Sequence, residues 1–277
     1  MQRLVMDSGC DLTDDMKSGK IPVEFIPLNL QVGEKIYIDD RDLDMAKYVE
    51  DMESYPGRIQ TSAPSPELYL DAFKKEGSIF VVTLSAKLSG SYSSAMLAKQ
   101  MYLEEFGEKF IHIIDGMSAC VGGTVIALRV HECIKKNFSD SEIVAAVEKF
   151  MSEMRTIFIL EKFDNLVKNG RIKPYIAKIA TLLSIKVIGG AKDGEIEMVD
   201  KARGYKKAVA RMIDIIQKDK IDFEDRILAI THIQCLERAL EIKDEVMKRI
   251  KFKDIVICEG RGIASTYSQK GGIVLSY

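Results

Sequence analysis

The sequence predicts an α/β protein with two domains, residues 1–153 and 154–277. Continuous apolar runs that end in a polar residue recur along the chain, and such runs are typical of parallel strands covered on both faces. Segments with helical apolar spacing separate them, which indicates a layered α/β domain. The alternation starts again after Glu153, in a chain of 277 residues that is 47% hydrophobic and long enough for two cores. We therefore expect an N-terminal three-layer α/β/α domain with a parallel sheet and a C-terminal α/β domain with a mixed sheet.

The N-terminal domain is expected to contain three buried strands, one hairpin and four helices. The strands are the apolar runs 4–6, 79–82 and 111–114, each followed by Asp or Thr. Apolar and polar residues alternate between 26 and 38 on both sides of Gly33-Glu34, which predicts a hairpin. Helical spacing and a Ser-Asp-Ser capping signal before the last segment predict helices over residues 66–75, 93–106, 122–136 and 140–154.

The C-terminal domain is expected to be a sheet with helices on one face. Residues 184–189 and 195–199 surround a Lys-Asp-Gly turn, which predicts an antiparallel pair. The remaining strands are predicted at 156–161, 226–232, 254–258 and 272–277. Helices are predicted at 163–168, 175–183, 205–218 and 236–249.

Composition and charge exclude several classes of function. The 40 basic and 42 acidic side chains give a formal net charge of −2, so no positive field is available to attract nucleic acid. The first apolar run ends at Asp7 and is too short to be the core of a signal peptide. No apolar run approaches the length of a membrane span. The five cysteines lack any CxxC spacing, so neither a disulfide framework nor a zinc site is expected. We expect a reduced, cytoplasmic compartment, with no metal and no cofactor.

A hydroxyl-rich loop after the 79–82 strand predicts an anion site. Residues 89–94 carry five hydroxyls, more than one helix cap requires. Gly90 permits close approach of the backbone, and the helix that follows attracts negative charge at its N-terminus. A second loop with Thr61 and Ser62 also opens a helix, although capping alone would explain its serines. We expect a carboxylate or a phosphate to bind where the two loops meet.

Two arginines and one histidine are further candidates. Arg171 follows Gly170, which suits a helix end, and is either a solvated residue or a planar fork of donors for an anion. Arg203 begins a basic stretch that is either a solvated face or a docking surface for an acidic partner. His232 ends a strand and would complete a serine hydrolase if it reached Ser89 or Ser93. The glycine-rich, GxSxG and HExxH motifs of other enzyme classes do not occur.

Short motifs follow one another along essentially the whole chain. They are Asp7-Ser8, Asp11-Leu12, Thr61-Ser62, Pro64-Ser65-Pro66, Leu84-Ser85, Leu88-Ser89-Gly90-Ser91-Tyr92, Ser94-Ala95, Gly170-Arg171-Ile172 and Arg203 before Lys206-Lys207. In their order and spacing, these motifs resemble the DegV family of bacterial fatty-acid-binding proteins. Many members carry a histidine in a His-x-Gly-Pro-Gly segment near the C-terminus, where this chain has Tyr267 in a Ser-Thr-Tyr-Ser stretch.

The resemblance implies that two α/β domains enclose one long-chain fatty acid. It also implies that the protein has no catalysis of its own and presents the fatty acid to a separate fatty acid kinase, which forms the acyl phosphate for phospholipid synthesis. Arg203 would lie on the kinase-facing surface, and transient contact with a membrane is compatible with this role. The residues that would surround the carboxylate are Thr61, Ser62, Gly90, Ser93, Ser94, Arg171 and Tyr267.

Three functions therefore fit the sequence. The first is a lipid carrier that holds a fatty acid between its domains. The second is a serine-dependent α/β hydrolase that uses the hydroxyl-rich loop, and the third is a sensor of small anions without a lipid pocket.

Overall fold

The computed structural model describes residues 1–180, 182 and 184–277. In the first half of the chain the elements are β1 (Gln2–Asp7), α1 (Asp14–Lys17), β2 (Val23–Ile26), β3 (Asn29–Val32), β4 (Lys35–Ile38), α2 (Met45–Ser54), β5 (Gln60–Ser62), α3 (Pro66–Phe73), β6 (Ser78–Thr83), α4 (Ser91–Phe106), β7 (Ile111–Asp115), α5 (Val121–Lys135) and α6 (Asp140–Glu153). In the second half they are β8 (Thr156–Ile159), α7 (Asp164–Lys168), α8 (Pro174–Ala180), β9 (Ile185–Lys192), β10 (Glu195–Arg203), α9 (Tyr205–Ile216), β11 (Ile227–His232), α10 (Leu236–Met247), β12 (Asp254–Glu259), α11 (Gly262–Ser268) and β13 (Ile273–Ser276).

The first half of the chain forms a parallel four-stranded sheet in the order β2-β1-β6-β7. Val5, Ile79 and Val81 face α3 and α4 on one side, and Leu4, Phe80 and neighbouring residues face α5 on the other. Because both faces are covered, the strands are continuous apolar runs, and the predicted α/β/α layering is confirmed.

The second half of the chain forms a mixed six-stranded sheet in the order β10-β9-β8-β13-β11-β12. Helices α9 and α10 cover one face through an apolar cluster that includes Ile188 and Leu228. The predicted helices on one face are present, and the opposite face contacts α5 of the first half. Helix α5 therefore lies between the two sheets. Gly123 permits this approach, because a Cβ at that position would lie 2.0 Å from Cys10 Sγ.

A third, antiparallel sheet of three strands, β4-β3-β5, contributes to the same region. The β3–β4 hairpin turns at Gly33, whose φ of 62° suits glycine. The hairpin was predicted to start at Ile26, but that residue closes β2 in the parallel sheet. Strand β5, predicted as part of a loop, pairs with β3 and places Thr61 opposite Leu30.

Five elements were missed by the sequence prediction, namely α1, β2, α2, β5 and α11. Helix α11 has the sequence GIASTYS, which carries no helical apolar period of its own, because nearly all of its residues are buried. The predicted helix at 175–183 corresponds to α8, and its positions 181 and 183 lie outside the described residues.

Within the described residues, every helix is too short or too polar to cross a bilayer. The five cysteines are free. No group of three or more histidine, cysteine or carboxylate side chains in the described part of the chain is arranged to hold a metal ion.

Candidate functional site

A cavity lies between the two main sheets and draws its walls from both halves of the chain. It offers ≈ 130 Å³ of room for the centres of water molecules, about ten times what one water needs. Its apolar walls are formed by Leu28, Leu84, Leu88, Phe158, Leu160, Leu166, Ile196, Ile263 and Val274.

Thr61 and Tyr267 form a pair of hydroxyls in the cavity wall. Thr61 Oγ1 and Tyr267 Oη are 2.7 Å apart, and both side chains are half-buried. Ser89, Gly90 and Arg171 also line the cavity. An apolar cavity with a few convergent polar groups is the usual form of a small-molecule site.

The pairing of β5 with β3 and the side chain of Asn169, the residue that follows α7, hold Thr61 in place. Thr61 pairs with Leu30 in the three-stranded sheet. Two residues earlier, the Ile59 carbonyl accepts a hydrogen bond of 3.0 Å from Asn169 Nδ2. Arg58 Nε donates to Asn169 Oδ1 over 2.9 Å. The strand that carries Thr61 is thereby tied to the second half of the chain.

Asp39 orients α11, the helix that carries Tyr267. Its carboxylate accepts hydrogen bonds of 3.0 Å from the first backbone N–H groups of the helix, those of Gly262 and Ile263. Burial raises the pKa of Asp39 to about 6, although these hydrogen bonds oppose the shift. Further along α11, Thr266 Oγ1 bonds with Tyr48 Oη at 2.5 Å, and its carbonyl accepts from Asn165 Nδ2 at 2.8 Å.

Arg171 turns toward the cavity, as one of its two predicted alternatives requires. Gly170 has a φ of 66°, which ends the preceding helical turn and redirects the chain. The guanidinium donates from Nε to the Leu88 carbonyl at 2.7 Å and from Nη1 to the Asn169 carbonyl at 2.6 Å. These bonds fix its plane next to the hydroxyl-rich loop, and they join the two halves of the chain.

The hydroxyl-rich loop contributes fewer groups to the cavity than its sequence suggests. Ser89 and Gly90 line the cavity, whereas Ser91 is fully buried beneath it. Ser91 Oγ donates to Asp7 and lies 2.7 Å from Tyr69 Oη. Burial raises the pKa of Asp7 to about 6, against the effect of its hydrogen bonds.

Ser62, Ser93 and Ser94 are not among the residues that line the cavity. Ser62 and Ser93 are exposed, and Ser94 is half-buried in the first turn of α4. Ser62 Oγ accepts a hydrogen bond of 3.4 Å from Asn29 Nδ2. Ser62 falls outside because neighbouring residues of β5 point to opposite faces, and Thr61 takes the cavity side. The structure brings together Thr61, Gly90, Arg171 and Tyr267.

The remaining candidates lie away from the cavity lining. His232 is buried at the end of β11, where its Nδ1 accepts from the Cys235 backbone N–H at 3.4 Å. Burial lowers its pKa. Arg203 is the exposed last residue of β10 and pairs with Ile185.

Sequence reasoning missed three groups near the cavity. Asp39 gave no signal, because it follows a hairpin and its partners are more than two hundred residues away. Ser118 ends the polar segment 115–118 after a predicted strand, a position where ligands collect in α/β sheets, but it was not among the predicted site residues. Thr156 was hidden as the first residue of an apolar strand. Both residues line the cavity.

The chain matches the sequence profile of the DegV family, whose description reads "uncharacterised protein, DegV family", over residues 2–277. A DegV domain-containing protein of Streptococcus pyogenes serotype M1 is 37% identical to it. That alignment covers 99% of this chain and 98% of the relative.

Two solved structures resemble the chain throughout. A DegV family protein of Ruminococcus gnavus ATCC 29149, refined with vaccenic acid, superposes with a TM-score of 0.94 at 38% identity, over 100% of this chain and 99% of that chain. The Streptococcus pneumoniae Fatty Acid Kinase (Fak) B3 protein, loaded with linoleic acid, superposes with a TM-score of 0.90 at 31% identity. That superposition covers 100% of this chain and 99% of the other chain.

Proposed function

Because this chain belongs to the DegV family, we propose that it binds one long-chain fatty acid in the cavity between its two sheets. The observation that carries the proposal is the shape of that cavity, in which apolar walls from both halves converge with the Thr61–Tyr267 hydroxyl pair and Arg171. The vaccenic and linoleic acids named for the Ruminococcus gnavus and Streptococcus pneumoniae proteins support it.

In this proposal the tail supplies the affinity. A buried methylene contributes ~0.8 kcal/mol, so a tail of about fifteen carbons contributes on the order of 12 kcal/mol before association and ordering are subtracted. The hydroxyls supply orientation instead, because a carboxylate without hydrogen-bond donors would not leave water for an apolar cavity.

We assign the carboxylate to the cavity wall around Thr61, Tyr267, Gly90 and Arg171. Thr61 donates to Tyr267, whose hydroxyl in turn donates a hydrogen bond to a carboxylate oxygen, and the guanidinium charge favours the ionised form. Ser62, Ser93 and Ser94 lie outside the cavity lining, and we assign them to the rim around the head group.

The same proposal makes the protein a cytoplasmic carrier without catalysis of its own. It would present the fatty acid to a separate fatty acid kinase, with Arg203 on the surface that the kinase contacts. The name of the Streptococcus pneumoniae protein supports a kinase partner. The exposed position of Arg203 is compatible with docking.

Lipid identification tests the proposal directly. The protein is purified under mild conditions, its mass is measured in the native state, and the bound lipid is extracted and identified. A retained mass equal to one long-chain fatty acid is expected. If the purified protein carries no lipid and takes up none, and if phosphate or sulfate protects it against heat, the anion sensor replaces the carrier. If it hydrolyses esters and Ser93→Ala abolishes that activity, the hydrolase replaces it.

Kinase coupling needs a separate measurement. Arg203→Glu is expected to weaken acyl phosphate formation by an added fatty acid kinase while fatty-acid binding is unchanged, because charge reversal opposes an acidic partner. Lys218→Glu, about 20 Å away beyond the other end of α9, is the matched control. Equal effects of the two variants would contradict the assignment of Arg203.

A further inference from the structure

The cavity has a second polar region, where β8 begins. Thr156 and Phe158 of β8, and Leu160 just after it, alternate along one face of the chain and all line the cavity. At ~3.3 Å per residue, Thr156 lies roughly 13 Å from Leu160 along the strand direction. The chain continues from Leu160 toward Leu166 and Arg171. Thr156 therefore lies at the opposite end of this strand from Leu160, next to Ser118.

Three buried hydroxyls form a hydrogen-bonded chain at this end. Ser118 Oγ lies 2.8 Å from Thr156 Oγ1, which lies 3.0 Å from Ser276 Oγ. The three side chains are 2%, 5% and 0% exposed. Ser276 Oγ donates to the Arg155 carbonyl at 3.1 Å. Because Ser276 uses its proton on this carbonyl, Thr156 donates to Ser276, and Ser118 donates to Thr156. Both lone pairs of Ser118 Oγ therefore remain free to accept a hydrogen bond.

Gly122 makes room for these hydroxyls. A Cβ at Gly122 would lie 2.0 Å from Ser118 Oγ and 3.1 Å from Thr156 Oγ1. Any larger residue at this position of α5 would displace Ser118 from the end of the cavity. The contact between Ser118 and Thr156 therefore requires a glycine at position 122 of α5.

We propose, resting on the proposed function, that Ser118 and Thr156 form a hydroxyl-binding end of the acyl cavity. The ligand class is then extended to long-chain fatty acids with a hydroxyl group in the methyl-terminal part of the chain. The ligand hydroxyl donates to Ser118 Oγ. In a wholly apolar tunnel the same hydroxyl would be buried without a partner and would be rejected. A plain methyl end is still accepted, because the three protein hydroxyls satisfy one another's donors.

Competition binding tests this inference on the delipidated full-length protein. The ligands are stearic acid, ω-hydroxystearic acid and α-hydroxystearic acid, whose hydroxyl lies beside the carboxylate. Each displaces a fluorescent fatty acid. The wild-type protein is expected to bind ω-hydroxystearic acid at least as tightly as stearic acid. Ser118→Ala and Thr156→Val are expected to weaken only the ω-hydroxy ligand, by roughly tenfold.

Thr124→Val is the matched control, because Thr124 is a buried hydroxyl of the same region that bonds to the Asp11 carbonyl at 2.6 Å and does not line the cavity. The inference is overturned if the wild-type protein binds ω-hydroxystearic acid ten times more weakly than stearic acid, or no better than the α-hydroxy isomer. This comparison needs no variant. It is also overturned if Ser118→Ala affects all ligands equally. If stearic acid itself does not bind, the proposed function fails as well.

Discussion

Removal of one phenol oxygen tests the head-group assignment. In Tyr267→Phe the ring stays in place, while the partner 2.7 Å from Thr61 Oγ1 is lost. Helix α11 keeps its other restraints, namely the Asp39 contacts at its start and the Thr266 bonds. The change therefore removes a donor from the cavity wall without displacing the helix.

Two magnitudes follow from this geometry. The hydroxyl pair is neutral and half-buried, so its loss lowers the free energy of unfolding by about 1 kcal/mol. A hydrogen bond to a charged carboxylate is worth about 1.5–3 kcal/mol, so the Kd for a long-chain fatty acid rises roughly 10- to 150-fold. Binding thus changes more than stability does.

The assay is titration calorimetry with a fatty acid on delipidated protein, combined with urea unfolding. Tyr48→Phe is the control, because Tyr48 also bonds through its hydroxyl to a threonine of α11, Thr266, but does not line the cavity. It is expected to lower stability by about 1 kcal/mol and to leave the Kd unchanged. The reasoning is refuted if Tyr267→Phe leaves the Kd unchanged, or if both variants weaken binding equally.

Two further predictions concern pH and Arg171. Burial raises the pKa of Asp11 to about 7, far above the 3.8 of an exposed aspartate. The folded protein therefore holds a proton that the unfolded chain releases. As a result, the free energy of unfolding falls as the pH rises through 7. Between pH 6 and pH 8 this group lowers the free energy of unfolding by about 1.4 kcal/mol. Urea unfolding at the two pH values should show this loss in the wild-type protein and a smaller one in Asp11→Asn; equal losses would count against the buried acid. Arg171→Lys is expected to raise the Kd for a fatty acid by roughly tenfold, because one ammonium cannot replace a guanidinium that holds two carbonyls. If calorimetry shows an unchanged Kd, the assignment of Arg171 to the head-group site is wrong.

Elements with a strong apolar period were predictable from the sequence. The three parallel strands, the helices α3 to α6 and the β9–β10 pair follow from local patterns, because burial on two faces or on one stripe leaves a period in the chain. Short elements escaped, since β5 has three residues and α11 is buried on nearly all sides. These two elements carry Thr61 and Tyr267.

The direction in which each side chain points could not be predicted from the local sequence pattern either. Residues 89–94 are rich in hydroxyls, but Ser91 turns inward to Asp7, and Ser93 points to solvent. Helix geometry distributes neighbouring residues around an axis, so a cluster in sequence is not a cluster in space. The position of Ser93 and Ser94 relative to a bound carboxylate stays a prediction.

The sequence by itself determined the α/β class, the strand-end loops and the family, because these depend on local periodicity and on the order of motifs. Only the tertiary structure decided which polar groups meet. Thr61 and Tyr267 are 206 positions apart, and Ser118 reaches Thr156 across the contact between the two halves. Such pairs depend on how α5 packs between two sheets, and that packing arises from the summed contacts of many residues rather than from any one segment.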